Sequence, residues 1–277
     1  MAYAPLILAT GNPHKVDELR AIFTSALDTR VLCLTDFPHI AFHEPAEIGS
    51  TFEQNATIKA LAYAAQLAAH GVADALVLAD DSGIEIDALK DPHVLPPNPR
   101  PGVISSHYST DGVETGLTRA ARDAANNIRV LRELEGLPFE HRTARFVCVM
   151  VLATLTPPPR GRGLGGGFES TPIIALTNQT ERAYVAPEGF ESSPSTRSSV
   201  SSTILHLTRG TFDGRIGLPP RIPAGSNGFG YDPLFLVAPT FIQTGAELAS
   251  EEKNRLSHRA AAARSMAEWI RSRRPFS

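Results

Sequence analysis

Residues 5–10, Pro-Leu-Ile-Leu-Ala-Thr, form a short apolar run that stops abruptly at Thr10-Gly11-Asn12-Pro13. Behind it Val16, Leu19, Phe23, Ala26 and Leu27 recur at helical spacing. Asn12 is a natural N-cap and Pro13 suits the first helical position, so a buried strand feeds a tight turn and then a helix. The same alternation continues. Arg30 to Leu34 reads as a second strand. Ser50 and Thr51, followed three residues on by Glu53 and Gln54, open an Ala-rich helix to about His70. Leu76-Val-Leu-Ala-Asp-Asp81 reads as a buried strand ending in carboxylates, with Ile84–Leu89 as a further short strand. Residues 111–135 read as a helix carrying Leu117, Ala121, Ile128, Leu131 and Leu134, and Thr143–Thr154 as a central strand. Strands mixed with helices throughout predict an α/β or α+β fold.

Composition narrows the function classes. Across 277 residues the formal net charge is −3, which argues against coating nucleic acid, since backbone affinity comes from accumulated Lys and Arg. An anionic partner must then meet a local basic cluster. Cys33 and Cys148 sit in apolar runs and are too few for a disulfide framework, so they read as reduced core residues of an intracellular, cytoplasmic protein. The first residues lack the basic n-region of a signal peptide, and no segment approaches the length of a membrane span. Gly and Pro concentrate near 91–100, 157–170 and 187–202, which read as surface insertions in one domain spanning 1–277, with a hairpin expected over Ile173–Tyr184.

Five constellations could carry chemistry. Thr10-Gly-Asn-Pro-His-Lys15 offers backbone N–H groups and an ammonium at a helix start, a setting for phosphate without the P-loop spacing. Asp80-Asp81-Ser82-Gly83 would present neighbouring carboxylates to opposite sides of a strand, one free for metal and water. Glu47, ahead of the helix that carries Lys59, would complete the one or two carboxylates that Mg²⁺ usually takes. Gly228-Phe-Gly-Tyr-Asp232 combines permissive glycines, two stacking faces and an acceptor for base N–H groups. Lys253 with Ser257-His258-Arg259 would form a basic clamp, provided the C-terminal helix over 247–274 breaks at Ser257. Alone, each pattern also fits a capped helix, a turn or a solvated face. Together they assemble what a Mg²⁺-dependent nucleotide hydrolase needs.

In these motifs the chain resembles the non-canonical purine nucleoside triphosphate pyrophosphatases, the inosine triphosphate pyrophosphatase family, in its bacterial-type form. The matching pieces are Leu8-Ala-Thr-Gly-Asn-Pro-His-Lys-Val-Asp-Glu-Leu, Gly49-Ser-Thr-Phe-Glu-Gln-Asn-Ala-x-x-Lys59-Ala, Ala79-Asp-Asp-Ser-Gly, Pro101-Gly-Val-x-Ser, Ala144-Arg-Phe-x-Cys, Gly228-Phe-Gly-Tyr-Asp-Pro-Leu-Phe and Glu252-Lys-x-x-x-Ser-His-Arg, in the family's order. The resemblance implies hydrolysis of inosine, deoxyinosine and xanthosine triphosphates to the monophosphate and pyrophosphate. It also implies a homodimer and a long, twisted mixed sheet in two lobes with the nucleotide cleft between them. Carried over by position, Thr10, Gly11, Asn12, Pro13, His14, Lys15, Lys59, Lys253, His258 and Arg259 bind the nucleotide, mainly its phosphates. Asp81 is the general base and a metal carboxylate, Glu47 the other metal carboxylate, Ser82 a substrate contact, and Phe229, Gly230, Tyr231 and Asp232 the base pocket. The alternatives that keep these motifs are a pyrophosphatase for pyrimidine or modified nucleotides and a nucleotide sensor without turnover. The chain departs from the pattern at Gln54, where Glu is common, at His107, where Arg is frequent, and at Phe212, where Trp is usual.

Overall fold

The computed structural model describes residues 4–90, 99–156 and 201–273. The hairpin expected over Ile173–Tyr184, the insertion 157–170 and most of 91–100 and 187–202 lie outside the described residues. The elements in chain order are β1 (Leu6–Leu8), α1 (Pro13–Ala26), β2 (Val31–Cys33), α2 (Phe52–Ala69), β3 (Ala75–Lys90), β4 (Pro99–Pro101), α3 (Arg119–Glu133), β5 (Thr143–Thr156), β6 (Ser201–Ile216), β7 (Phe235–Val237), α4 (Ser250–Leu256) and α5 (His258–Ser272). Seven strands form one mixed sheet in the order β2-β1-β3-β5-β6-β7, with β4 paired to the far half of β3. β1 runs parallel to β2 and β3, whereas β3, β5 and β6 form a long antiparallel meander.

The local signals work as the residues demand. The Asn12 side chain accepts from the His14 and Lys15 N–H groups, and Pro13 begins α1. Thr51 caps α2 through the Gln54 N–H, while the Gln54 amide oxygen accepts from the Ser50 N–H at 2.7 Å. A neutral Gln thus holds the backbone N–H of the residue just ahead of the cap. Alternation along the long strands sends side chains to two faces. Ile7, Val77, Ala79, Val147, Val149 and Val151 pack under α2, and Leu6, Leu8, Leu76, Leu78, Cys148 and Met150 pack under α1 and α5. A third cluster, with Ile84, Ile86, Tyr108, Val130, Phe212, Ile216 and Phe235, fills the other end of the sheet. Both cysteines are free and buried.

Two expectations need correction. The Asp80–Gly83 stretch does not close a strand, and Ile84–Leu89 is not a separate one. β3 continues through all of it, in register with β5 from Ala75↔Leu155 to Ile86↔Ala144. Its turn-like composition is tolerated because the parallel neighbour β1 ends opposite Leu78, leaving that edge of Asp80–Gly83 without a strand partner. The helix expected over 111–135 begins only at Arg119; of the apolar residues named for it, Leu134 is buried and Leu131 packs against the core, whereas Leu117 is 43% and Ile128 66% exposed. Val130 and Asn126 are the buried positions within it. Asn126 accepts from the Ser109 N–H and donates to the Ser105 and Ser106 carbonyls, holding the 3-10 segment Gly102–Thr110. A satisfied polar residue on the buried face hides the helix from a purely apolar pattern.

Candidate active site

A cleft of about 1290 Å³ opens where the uncovered edge of β3 meets the start of α1, the 3-10 segment, α3, the Gly228–Asp232 loop and the α4–α5 junction. Asn12, His14 and Lys15 of the first motif line it; Thr10 and Pro13 do not, and Gly11 faces a smaller hollow with Leu34, Phe37 and Tyr63. Glu47, Ser82, Phe229, Gly230, Tyr231, Asp232, Lys253, His258 and Arg259 all line the main cleft. The long C-terminal segment does break at Ser257, which ends α4 and caps α5 through the Ala260 N–H. α5 lies close on β6 because residue 210 is glycine; a Cβ there would collide with the His258 carbonyl oxygen and the Ala262 nitrogen.

The neighbouring aspartates point to opposite faces. Asp80 is buried with Lys15 Nζ at 2.8 Å and Arg259 Nε at 3.9 Å. Burial pushes its carboxyl upward, but the charges of Lys15 and Arg259 outweigh that and hold it at about 2. Asp81 turns toward α2, where Lys59 Nζ lies 3.0 Å from Asp81 Oδ1 and 2.8 Å from Glu47 Oε1. Here burial, helped by the nearby Glu47 carboxylate, exceeds the pull of Lys59 and raises Asp81 to about 6. Its Oδ2 is buried and has no hydrogen-bond partner. The row Glu47, Lys59, Asp81 thus runs inward from the cleft surface to an acceptor with an unused lone pair.

The expected basic cluster is a set of ion pairs. Lys15 holds Asp80, Lys59 holds Glu47 and Asp81, Lys253 holds Asp232, and Arg259 holds Glu18 at 2.7 Å. His258 is not one of its cations: burial, with Arg259 and Lys15 nearby, drives its pKa well below the usual histidine value, and its ring stacks on Phe146. Two further expectations change. Tyr231 offers no open stacking face, being 5% exposed with its hydroxyl donating to the Ser105 carbonyl. Asp232 is buried, its Oδ2 accepting from the Phe229 N–H and from Lys253. It shapes the loop. Gly228 sits at φ +80° against those same two side chains, where a Cβ would collide with both. Phe229, 47% exposed, is the aromatic ring of this loop that is not buried, with the Arg119 guanidinium carbon 4.2 Å and Lys253 Nζ 5.4 Å from its centroid.

The sequence reading missed the α3 wall. Arg119, Arg122 and Asp123 line the cleft together with His107 and Glu114. Asp123 Oδ2 accepts from the Gly230 N–H at 2.9 Å, and Asn127 Nδ2 donates to the Gly230 carbonyl at 3.1 Å, so α3 braces the loop that carries Phe229. His107 bonds Glu114 at 2.7 Å, and Arg122 reaches both. The available signal was the i, i+3, i+4 spacing of Arg119, Arg122 and Asp123.

The pair Glu47 and Asp81 fits a divalent cation. Their mutual repulsion is relieved by a single ammonium, and Asp81 Oδ2 is buried and unsatisfied. Two carboxylates with phosphate oxygens and water are the donor set that Mg²⁺ accepts.

Fold and site together define a mixed α/β protein whose sheet edge presents a charge-paired cleft. The chain belongs to the Ham1 family, whose model matches residues 6–162 and 194–269. It is 36% identical over 269 residues to a dITP/XTP pyrophosphatase of Nitratidesulfovibrio vulgaris, covering 97% of this chain and 96% of that protein. It is 35% identical to a dITP/XTP pyrophosphatase of Bacillus cereus, covering 96% and 94%. A solved Ham1 protein from Coxiella burnetii superposes with a TM-score of 0.62 at 28% identity, covering 99% of this chain and 100% of that one. Among the described residues, no helix is long and apolar enough to cross a membrane.

Proposed function

We propose that this chain hydrolyses non-canonical purine nucleoside triphosphates, those of inosine, deoxyinosine and xanthosine, to the monophosphate and pyrophosphate. The observation that carries the reading is Asp81: a buried carboxylate raised to about 6, with one free oxygen, at the inner end of a metal-competent row beside the cleft. Family membership gives the substrate class.

Glu47 and Asp81 would hold Mg²⁺, which when bound neutralises phosphate charge and polarises the phosphoryl oxygens. Lys59 then releases the carboxylates and pairs with a phosphate oxygen. Asp81 takes the proton of a water aligned with the α-phosphorus, its unpaired Oδ2 being the acceptor. Lys15 and Lys253, each already paired, exchange carboxylate for phosphate contacts, so the cleft meets the anion without an exposed basic patch. Phe229 supplies the stacking platform for the base. Discrimination against ATP follows if the site donates to a 6-oxo group and accepts from N1–H, leaving an aminopurine with unpaired buried polar atoms. We further propose that residues 1–277 act as one catalytic domain, as a homodimer in the cytoplasm, without nucleic-acid or membrane partners.

The test is a panel of ITP, dITP, XTP, GTP, ATP and dUTP with Mg²⁺, scoring pyrophosphate apart from orthophosphate. Pyrophosphate release with preference for ITP, dITP and XTP is expected. Orthophosphate as the direct product, or indifference to the base, would overturn the reading.

A further inference from the structure

Among the cleft cations, Arg119 stands apart. Lys15, Arg122, Lys253 and Arg259 each pair with a carboxylate. Arg119 has no such partner among the described residues; its guanidinium carbon lies instead 4.2 Å from the centroid of the Phe229 ring. That contact is held in place from below. Asp123 and Asn127, one and two turns further along α3, clasp the Gly230 backbone, which fixes the distance between the start of α3 and the Phe229 loop. Nor does Arg119 serve its own helix: it occupies the first position of α3, where a positive charge opposes the macrodipole.

We propose that Arg119 is a base-positioning residue, its planar guanidinium closing over the purine so that the ring is held between Phe229 and Arg119. This rests on the reading of the cleft as a purine nucleotide site. Without ligand the guanidinium covers the ring. When the base enters, the unbranched side chain lifts by one stacking layer and covers the base instead, so one cation–π contact is exchanged for a stack on the purine. No carboxylate has to be given up, unlike at every other cation of the cleft. Because the stack is blind to the ring's edge substituents, Arg119 contributes affinity for purines in general and leaves the choice of 6-oxo group to others.

Arg119→Ala keeps the Thr118 cap, places a strong helix former at an exposed site and is expected to fold normally. It should weaken IMP binding, measured by calorimetry, and raise KM for ITP about tenfold, with a much smaller change in kcat. Inhibition by inorganic tripolyphosphate, which has no base, should stay as in wild type. Arg119→Lys, which keeps the charge and loses the plane, should not restore IMP affinity. Unchanged IMP binding in Arg119→Ala would overturn the proposal. So would parallel weakening of IMP and tripolyphosphate, which would make Arg119 a phosphate ligand, or full rescue by lysine. If the wild-type protein turns over ITP and only these outcomes fail, the functional reading stands without Arg119; if it neither binds IMP nor turns over ITP, both fall.

Discussion

Asp80 and Asp81 are adjacent on one strand, equally buried, and electrostatically opposite. Asp80 faces α1 and α5, where two cations more than compensate its burial, and it sits at about 2. Asp81 faces α2, where one shared ammonium does not, and it sits at about 6 with an oxygen unpaired. Burial alone decides neither carboxylate; the number of cations across the strand does. On the proposed reading, Asp80 serves mainly as a counter-charge and Asp81 as the reactive carboxylate.

Mutations at the pair should separate these roles. Asp81→Asn removes the proposed base and should lower kcat by about 10²- to 10⁴-fold with melting temperature unchanged or raised; near-normal turnover in steady-state assays would break the contrast from the catalytic side. Asp80→Asn leaves Lys15 and Arg259 without their shared counter-charge and should cost about 3 kcal/mol in denaturant unfolding. A variant as stable as wild type would break it from the other side. Lys253→Ala frees Asp232 and removes the proposed phosphate contact, and KM for ITP should rise about tenfold with a smaller change in kcat.

The smallest expected effect is the pH dependence of stability without added metal. Asp80, depressed from 3.8 to about 2, contributes stability that is complete above its unfolded value and lost as pH falls through about 2. Asp81, raised from 3.8 to about 6, does the reverse: its contribution is present below 3.8 and lost as pH rises through about 6. Unfolding midpoints of Asp80→Asn should therefore flatten on the acid limb, and those of Asp81→Asn between pH 4 and 6. Identical profiles would remove the distinction.

What was legible in the sequence were features written in a few adjacent residues. The Asn12 cap with Pro13, the break at Ser257 and the opposite facing of Asp80 and Asp81 follow from local geometry, and the structure has all three. The continuity of β3 through Asp-Asp-Ser-Gly depends on β5, some 70 residues away, whose register no local pattern contains. The ion pairs that occupy the lysines are likewise non-local: Glu18 reaches Arg259 across the whole chain. Tyr231 and Asp232 do line the cleft, but the burial of the Tyr231 ring and the bonds of Asp232 Oδ2 to the Phe229 N–H and Lys253 arise from packing that no local pattern contains. The α3 wall stayed hidden because a charged helical face usually meets only water.

In the proposed reaction a water activated by Asp81 attacks the α-phosphorus. Turnover of ITP in heavy-oxygen water, followed by mass spectrometry of the products, tests it directly. The label should appear in IMP and not in pyrophosphate, and its incorporation should collapse in Asp81→Asn. Label in pyrophosphate, or release of IDP with labelled orthophosphate, would contradict it.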